Sequence, residues 1–264
     1  MKKVFGFLTV FVIVLALVSL LIRQKQPESV SPEPFQEASI TPSISLSPTF
    51  NPPNNLTSKD YKIQWIIVRD LKKIILLSNL EDKLPSKEAL VKNACLYLVS
   101  GGFWSDENGH LGLLISDGEQ KSDAIKSDLL NGYLTITQDN RATISRSASS
   151  NPTVRLALQS GPIVFLNGKP TTLSLIRDEN ARRIVVATTT NNEVIFLVVY
   201  YQASPLLGPT LVELPEILEN IKKNTSLEFK DALNLDGGTH SAYLTDFLSL
   251  TEVARFGSFF CVKP

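Results

Sequence analysis

The segment ALNLDGGTHSAYL, residues 232–244, places a carboxylate and two glycines directly after an apolar run. The run to Leu235 predicts a buried strand, and Gly237 with Gly238 allows backbone angles and a close ligand approach that other residues do not. Asp236 is therefore expected at a strand tip, where functional side chains often collect. A tight turn, in which Asp236 hydrogen-bonds its own backbone, is the alternative interpretation.

Other residues suited to chemistry are few. Arg182 and Arg183 are neighbours on a predicted strand, so only one of them can enter a given site, where paired planar donors suit a phosphate. His240 follows the glycine pair and is suited to proton transfer near neutral pH, or else lies on the surface. The backbone amides at Gly101 and Gly102 predict either an anion-binding nest or an ordinary turn.

No cofactor is predicted, and a divalent cation is left as an open alternative. Asp106 and Glu107 supply carboxylates without the regular spacing of a calcium loop. Cys95 and Cys261 lack the close spacing and the histidines of a zinc site, so they form either a disulfide or two buried thiols. The 26 basic and 26 acidic side chains balance, which argues against a basic face for nucleic acid.

Strand patterns dominate the chain from residue 59 onward, and helical patterns are few. The predicted strands are residues 61–68, 73–77, 94–100, 112–116, 132–137, 155–165, 181–189, 193–201 and 232–235, with an edge strand at the C-terminus. Hairpin turns are predicted at 69–72 and at Asn191-Asn192. Ser86 is predicted to cap a short helix, and residues 214–223 show one apolar helical face. These patterns predict an α+β fold on a mixed, largely antiparallel sheet.

Residues 1–25 predict a transmembrane anchor ahead of this domain. The stretch from Val4 to Ile22 holds 19 residues without a charge, enough for a helix to cross a hydrocarbon core of roughly 30 Å. Lys2 and Lys3 favour a cytoplasmic N-terminus. A cleaved signal peptide is the alternative, although the residues after Ile22 lack a small-residue cleavage pattern.

Residues 26–58 are rich in proline and serine and contain no lysine or arginine. Such a composition buries too little apolar surface to offset its ordering entropy, so it predicts a disordered linker. Residues 59–264 are long enough for a domain with its own core. The predicted arrangement is a single-pass membrane protein with an extracytoplasmic (periplasmic or cell-surface) domain, or a secreted domain if the N-terminal segment is cleaved.

Four segments, in this order, resemble the phosphodiester glycosidase family. They are YLVSGGFWSDENGHLGLLISDGE (97–119), ALQSGPIVFLNGK (157–169), ARRIVVATTTNNEVIFLVV (181–199) and ALNLDGGTHSAYL (232–244). They are similar, respectively, to the family's strand into an Asn-Gly-Gly-Phe-Phe turn, its Gln-Ser-Gly-Pro-Ile motif, its Arg-containing strand with a hairpin, and its Asn-Leu-Asp-Gly-Gly signature. The resemblance covers nearly all of residues 60–264.

The resemblance implies hydrolysis of a glycosyl-1-phosphodiester in glycan or cell-envelope sugar phosphates, leaving a phosphomonoester. Such a reaction needs a nucleophile or base, stabilisation of oxocarbenium-like charge, and donors for the departing phosphate. Asp236 is implied as the nucleophile, base or electrostatic stabiliser, and His240 is the second catalytic candidate. Arg183, rather than Arg182, fits the family's arginine position. The predicted substrate-binding residues are Arg183, Gln159, Ser160, Gly101, Gly102, Asn234, Gly237, Gly238 and Ser241.

Two other hypotheses stay open. Ser100, Thr239 and His240 differ from the family's usual residues, which motivates a catalytically silent carbohydrate- or phosphoglycan-binding module. A structural envelope protein, in which the linker is the main feature, is the third hypothesis. The predicted partners are a sugar-phosphate or phosphoglycan substrate and, through the N-terminal helix, the membrane.

Overall fold

Runs of β-branched and aromatic residues make strands the main element of this chain, because such side chains pack well on a pleated surface. The computed structural model describes residues 54–58, 60–149 and 153–264. These ranges hold two α-helices, α1 (Ser86–Lys92) and α2 (Leu214–Asn224). Their strands, in chain order, are β1 (Asn54–Ser58), β2 (Tyr61–Val68), β3 (Ile74–Ser78), β4 (Tyr97–Ser100), β5 (Trp104–Ser105), β6 (Gly109–His110), β7 (Leu114–Ser116), β8 (Glu119–Ser122), β9 (Gly132–Thr137), β10 (Ala142–Ser145), β11 (Val154–Ser160), β12 (Ile163–Leu166), β13 (Lys169–Pro170), β14 (Arg183–Thr188), β15 (Val194–Tyr201), β16 (Asp231–Asn234), β17 (Tyr243–Leu244), β18 (Ser249–Leu250) and β19 (Ser258–Val262).

A seven-stranded sheet, in the order β1-β2-β15-β14-β16-β12-β13, lies at the centre of the described fold. All six residues of β14 are buried, because both faces of this sheet are covered. One face packs against α2, whose apolar positions three and four residues apart form a single stripe. In this sheet β14 lies beside β16, with Val185 opposite Asn234. The two strands that carry the sequence's most suggestive polar residues are therefore neighbours.

Two five-stranded sheets surround the core on the other face of the central sheet. Their strand orders are β10-β9-β11-β7-β8 and β18-β17-β4-β19-β3. One apolar cluster joins all three sheets, with Phe196 from the central sheet, Leu134 and Leu158 from the second, and Phe260 from the third. The core therefore depends on contacts between distant parts of the sequence.

A disulfide between Cys95 and Cys261 links the segment after α1 to β19, with Cα atoms 5.3 Å apart. Ala89 of α1 packs in the same apolar cluster as both cysteines. The sequence left open a disulfide or two free thiols, and the structure has the disulfide.

Three predictions about strand connections are wrong. Residues 69–72 do not form a hairpin turn: β2 and β3 belong to different sheets, and the buried Leu71 begins a 3-10 turn between them. Residues 155–165 are two strands, β11 and β12, which separate at Gly161-Pro162 and enter different sheets. The C-terminal strand is internal, because β19 pairs with both β3 and β4.

The predicted scarcity of helices and the largely antiparallel sheet are confirmed, but the mixed character is not. Every strand pair among the described residues is antiparallel. Ser86 does not cap α1: Pro85 holds that position, and the Ser86 backbone amide donates to Glu252. The hairpin at Asn191-Asn192 is present between β14 and β15.

The N-terminal predictions lie almost wholly outside the described residues. The exception is residues 54–58, assigned to the linker, which form β1 and pair with β2 because an exposed strand edge offers free backbone partners. Residues 54–58 of the predicted linker are therefore structured, ahead of the predicted boundary at residue 59. No helix in the described ranges has the length and apolar character to span a membrane, and the predicted anchor at residues 1–25 is not among them.

Candidate functional site

The loop that follows β16 borders a cavity of about 710 Å³. Asp236, Gly237 and Gly238 form part of its wall, and Arg183 at the start of neighbouring β14 forms another part. Four of the predicted site residues are therefore brought together around one space. A cavity of this size lies within the range of small-molecule sites, ~300–1,000 Å³.

Backbone hydrogen bonds of Leu235 and Asp236 fix the chain just after the end of β16. The Leu235 amide donates to the Ile184 carbonyl at 2.8 Å, and the Asp236 amide donates to the Gly101 carbonyl at 3.0 Å. The residue is only 9% exposed. Burial raises the pKa of Asp236 to about 7, and the charge of His240 and a hydrogen bond from the Gly237 amide oppose this rise. A carboxyl group with this pKa is able to gain or lose a proton near neutral pH.

The two glycines after Asp236 are required by space and by backbone angle. A Cβ atom on Gly237 would lie 2.4 Å from the Arg182 carbonyl oxygen, closer than real Cβ contacts allow. Gly238 has a φ of +57°, which favours glycine. The Gly238 amide donates to that same Arg182 carbonyl at 2.8 Å. The loop thus lies directly against the chain that enters β14.

Arg182, which is only 1% exposed, holds this loop through hydrogen bonds of its side chain. Its Nε donates to Ser241 Oγ at 2.8 Å, and its Nη2 donates to the carbonyls of Gly238, Ser241 and Thr251. Its Nη1 donates to the Pro205 carbonyl at 3.2 Å. Burial lowers the pKa of Arg182 to about 10, so the guanidinium is still cationic at neutral pH.

Arg183 lies beside the cavity with part of its guanidinium already engaged. Its Nε donates to the Pro209 carbonyl at 2.8 Å, and its Nη2 contacts the Glu179 carbonyl and, at 3.4 Å, Asp178 Oδ1. Nη1 makes no hydrogen bond within the described ranges, so this nitrogen is left to meet a ligand. Arg182, just before β14, and Arg183, its first residue, thus lie in separate environments, which agrees with the predicted alternation of the two side chains.

The amides of Gly101 and Gly102 are engaged within the protein. Gly101 donates to the Ser258 carbonyl at 2.8 Å, and Gly102 donates to Ser258 Oγ at 3.1 Å. The predicted anion-binding nest is therefore wrong for these two amides, because β19 supplies their acceptors. Gly101 instead positions Asp236 through its carbonyl.

Gln159 connects the segment before β7 to the loop between β8 and β9 rather than facing the cavity. Its Oε1 accepts from the amides of Leu113 and Ile125, and its Nε2 donates to the carbonyls of Ile125 and Leu130. The predicted direct contact with substrate conflicts with this geometry, because both polar atoms are already satisfied inside the fold. Gln159 is, however, well placed to hold the 125–130 loop.

Three further predicted ligands are buried and bonded to the backbone. Ser160 Oγ donates to the Asn234 carbonyl at 2.8 Å, and Asn234 Nδ2 donates to the Gly161 carbonyl at 2.8 Å. Ser241 Oγ donates to the Gly238 carbonyl at 2.8 Å. Like Gln159, these residues are not among the described residues that line the cavity. The buried Asn234 Oδ1 has no hydrogen-bond partner in the part of the chain that the structure describes.

His240 lies near Asp236 but outside the cavity wall. Its Nδ1 is 2.6 Å from the Arg255 carbonyl, and its ring meets the Trp104 ring edge-on at 6.2 Å between centroids. This geometry places its charge where it lowers the pKa of Asp236. Its part in proton transfer stays a prediction.

Three charged residues of the cavity were missed by the sequence analysis. Arg177, Asp178 and Glu179 belong to the irregular segment before β14 and line the same space as Asp236. Asp178 accepts hydrogen bonds from the Leu211 and Val212 amides, both at 2.8 Å, which anchors the segment. The run Arg-Asp-Glu-Asn is typical of a solvated turn, and its position just before Arg183 was the available signal.

Arg177 is exposed and makes no hydrogen bond or ion pair with the described residues, so it is a second guanidinium available to an anion. Asp106 and Glu107, the weaker cation candidates, lie apart from this cavity in the β5–β6 turn. Among the described residues, no group of three or more histidines, cysteines or carboxylates is arranged to hold a metal ion.

Solved structures of the same fold come from several organisms. The zebrafish N-acetylglucosamine-1-phosphodiester alpha-N-acetylglucosaminidase catalytic domain, auto-inhibited by its pro-peptide, matches with a TM-score of 0.58 and 14% identity over 79% of this chain and 85% of its own. A Synechocystis protein matches with a TM-score of 0.56 and 11% identity over 79% of this chain and 61% of its own. A Burkholderia pseudomallei K96243 protein matches with a TM-score of 0.52 and 10% identity over 77% and 74%.

Among curated protein sequences, none matches this chain significantly. The sequence model of the phosphodiester glycosidase (NAGPA) family matches residues 93–257. This range is more than half of the chain and contains the Asp236 loop, Arg183 and the cavity they border. The chain therefore belongs to the phosphodiester glycosidase family.

Proposed function

We propose that this protein hydrolyses glycosyl-1-phosphodiester bonds in glycan or cell-envelope sugar phosphates. The observation that carries the proposal is Asp236, a buried carboxyl group with a pKa of about 7. It lines the same cavity as Arg177 and Arg183. Family membership supports the reaction class, and the cavity supplies groups that suit it.

Asp236 would act in its ionised form on the anomeric side of the bond. It either attacks the anomeric carbon, forming a glycosyl ester that water then cleaves, or removes a proton from an attacking water. In both routes the bond between the anomeric carbon and the phosphate oxygen breaks, and its electron pair leaves with the phosphate. The products are the free sugar and a phosphomonoester.

The two arginines would act on the departing phosphate. Arg183 Nη1 and the unpaired guanidinium of Arg177 offer donors to oxygens whose negative charge grows as the bond breaks. A phosphate leaves readily, so a strong general acid is unnecessary at that oxygen. Charge stabilisation, rather than proton donation, is then the main task of this side of the cavity.

The disulfide supports placing the domain outside the cytoplasm. Disulfides form and persist in oxidising compartments, and Cys95–Cys261 is buried within the fold. We propose an extracytoplasmic domain tethered by the N-terminal segment, which would place the cavity among envelope or extracellular glycans.

The test uses the full-length protein in lipid nanodiscs with a panel of α-linked sugar-1-phosphodiesters. Released reducing sugar is measured for the wild type, for Asp236→Asn and for Asp117→Asn. Asp117 lines a separate cavity and already has a positive φ of 49°, which asparagine adopts readily, so it is a matched control. Release by the wild type and Asp117→Asn, with a loss of at least ~100-fold in Asp236→Asn, is expected for a nucleophile or base.

Equal release by all three proteins would remove Asp236 from the mechanism. Saturable binding of a phosphodiester without release would instead favour a catalytically silent module of the same fold.

A further inference from the structure

Much of the cavity wall beside Asp236 is apolar. Its large apolar side chains are Phe103, Leu129, Leu206, Leu207, Leu211 and Leu235. Two of them are partly open to solvent: Leu129 is 41% exposed and Leu207 is 45% exposed. Leucine is usually buried, so leucines that are open at the mouth of a cavity offer surface to a ligand.

The backbones that carry these leucines are held in place. The Leu207 amide donates to the Ser204 carbonyl, and the Leu207 carbonyl accepts from the Tyr201 amide, both at 2.9 Å. The Leu206 carbonyl accepts from the Arg182 amide at 2.8 Å. The leucine pair is therefore attached to the same residue that holds the Asp236 loop.

The loop that carries Leu129 is held by Gln159. The Gln159 amide group bonds to the backbone of Ile125 and Leu130, on both sides of Leu129. The apolar wall is thus preorganised on two sides, which reduces the entropy lost when a ligand binds.

The apolar wall and the two guanidinium groups share one space. A ligand that fits both must combine an anionic group with an aliphatic one. In a glycosyl-1-phosphodiester the sugar is rich in hydroxyl groups and the phosphate is charged, so the alcohol on the far side of the phosphate is the part able to be aliphatic. An exposed leucine gains little from contact with a hydroxyl-rich group but gains from covering methylene groups.

We propose that this cavity contains a subsite for an aliphatic aglycone, so that the substrate is a sugar-1-phosphate esterified to an apolar alcohol. This inference rests on the proposed function for the sugar side of the substrate. The aglycone subsite can be tested without turnover, because the phosphomonoester product retains the aglycone and would bind to the same wall.

The experiment measures binding of hexyl phosphate and of glycerol 3-phosphate by calorimetry. The full-length protein in nanodiscs is titrated with each compound, and empty nanodiscs serve as the blank for partitioning into lipid. Burial of two or three methylene groups predicts an affinity for hexyl phosphate that is higher by ~10-fold or more. Inorganic phosphate, the anionic group that both compounds share, is titrated for comparison.

Leu207→Ser and Leu96→Ser form a matched pair of variants. Leu96 is 44% exposed, nearly the same as Leu207, but it lies beside the disulfide and is not part of the cavity. We expect Leu207→Ser to weaken hexyl phosphate binding by ~3–10-fold and to leave glycerol 3-phosphate binding unchanged, since only the aliphatic chain loses its contact. Leu96→Ser should behave as the wild type with both compounds.

Equal affinities of the wild type for the two phosphomonoesters would overturn the subsite, and so would a Leu207→Ser variant that keeps the hexyl preference. Hydrolysis is followed separately, with hexyl and glyceryl diesters of α-glucose 1-phosphate. A hexyl preference in binding without hydrolysis of either diester would count against the proposed function while supporting the apolar subsite. Hydrolysis of both diesters without any hexyl preference would support the enzyme and exclude the subsite.

Discussion

At the scale of single residues, Asp236 combines burial with only partial compensation of its charge. One backbone hydrogen bond and the nearby His240 favour the ionised form, yet burial still raises its pKa to about 7. A carboxyl group in this condition is typical of catalytic sites, because its pKa is matched to the working pH. Ionising this buried carboxyl group also costs stability, so the free energy of unfolding depends on pH.

Activity should rise with pH as Asp236 ionises. A nucleophile or base must be deprotonated, so we expect kcat/KM to increase through a pKa near 7 and then to level off. The pH profile of kcat/KM measures this directly, because it reports the pKa of the free enzyme. An activity that falls as pH rises from 6 to 8 would indicate that Asp236 acts in its protonated form.

Asp236→Asn should stabilise the protein above neutral pH while removing activity. The folded-state pKa is raised above the ordinary value of 3.8 for an aspartate, so the wild type is favoured by protonation at low pH and loses that stability as pH rises through the folded pKa. The advantage of the uncharged variant should grow by up to ~1.4 kcal/mol per pH unit between these two pKa values and level off above the upper one. Urea unfolding of both proteins between pH 4 and 8 measures the difference, and a difference independent of pH would contradict the raised pKa.

At the scale of elements, the segment that leads into β14 holds the loop after β16 through Arg182. Its side chain reaches the carbonyls of Gly238, Ser241 and Thr251, and its own carbonyl accepts from the Gly238 amide. Through these hydrogen bonds, Arg182 sets the position of Asp236 without contacting a substrate itself. Arg182 is therefore a positioning residue.

Arg182→Met should lower both stability and the apparent pKa of activity. Loss of a charged donor to several buried carbonyls is expected to cost ~2–4 kcal/mol in the free energy of unfolding. A loosened loop would admit water to Asp236, so its pKa should fall towards the ordinary value for an aspartate and the pH profile should move to lower pH. Arg182→Lys, which keeps the charge, should recover part of the shift.

The measurements are urea unfolding and the pH profile of kcat/KM for both variants. A destabilised Arg182→Met variant whose pH profile equals that of the wild type would limit Arg182 to a structural role.

At the scale of the whole molecule, the core depends on strands that are distant in sequence. The third sheet pairs β19, near the C-terminus, with β3 and β4. The Cys95–Cys261 disulfide spans 166 residues and connects the same regions. A crosslink over such a long separation restricts the unfolded chain strongly.

The double variant Cys95→Ala/Cys261→Ala should be less stable than the wild type by about 2–5 kcal/mol. The cysteines lie in the cluster around α1, away from the Asp236 cavity, so the kcat of the folded fraction should be unchanged. Urea unfolding, with reduced wild type as the control, measures the loss. A reduced wild type as stable as the oxidised protein would contradict this role of the disulfide.

Local patterns were sufficient for most strands. Apolar runs located β2, β9, β14 and β15 to within two residues, because each run is buried wherever its partners lie. Connections were less predictable: residues 69–72 looked like a hairpin, but β2 and β3 pair with other strands. Turn residues describe the local chain, whereas sheet membership depends on partners far away in sequence.

By itself the sequence determined the family, the predominance of antiparallel strands, and the place of Asp236 after a buried strand, because these follow from motifs and local hydrophobic patterns. Only the tertiary structure decided which polar residues meet at the cavity. It placed Arg183 there with the unforeseen Arg177, and it engaged Gln159, Ser241 and the amides of Gly101 and Gly102 inside the fold. The physical reason is that a polar group is available to a ligand only when no other part of the chain supplies its partner, and those partners come from distant strands and loops.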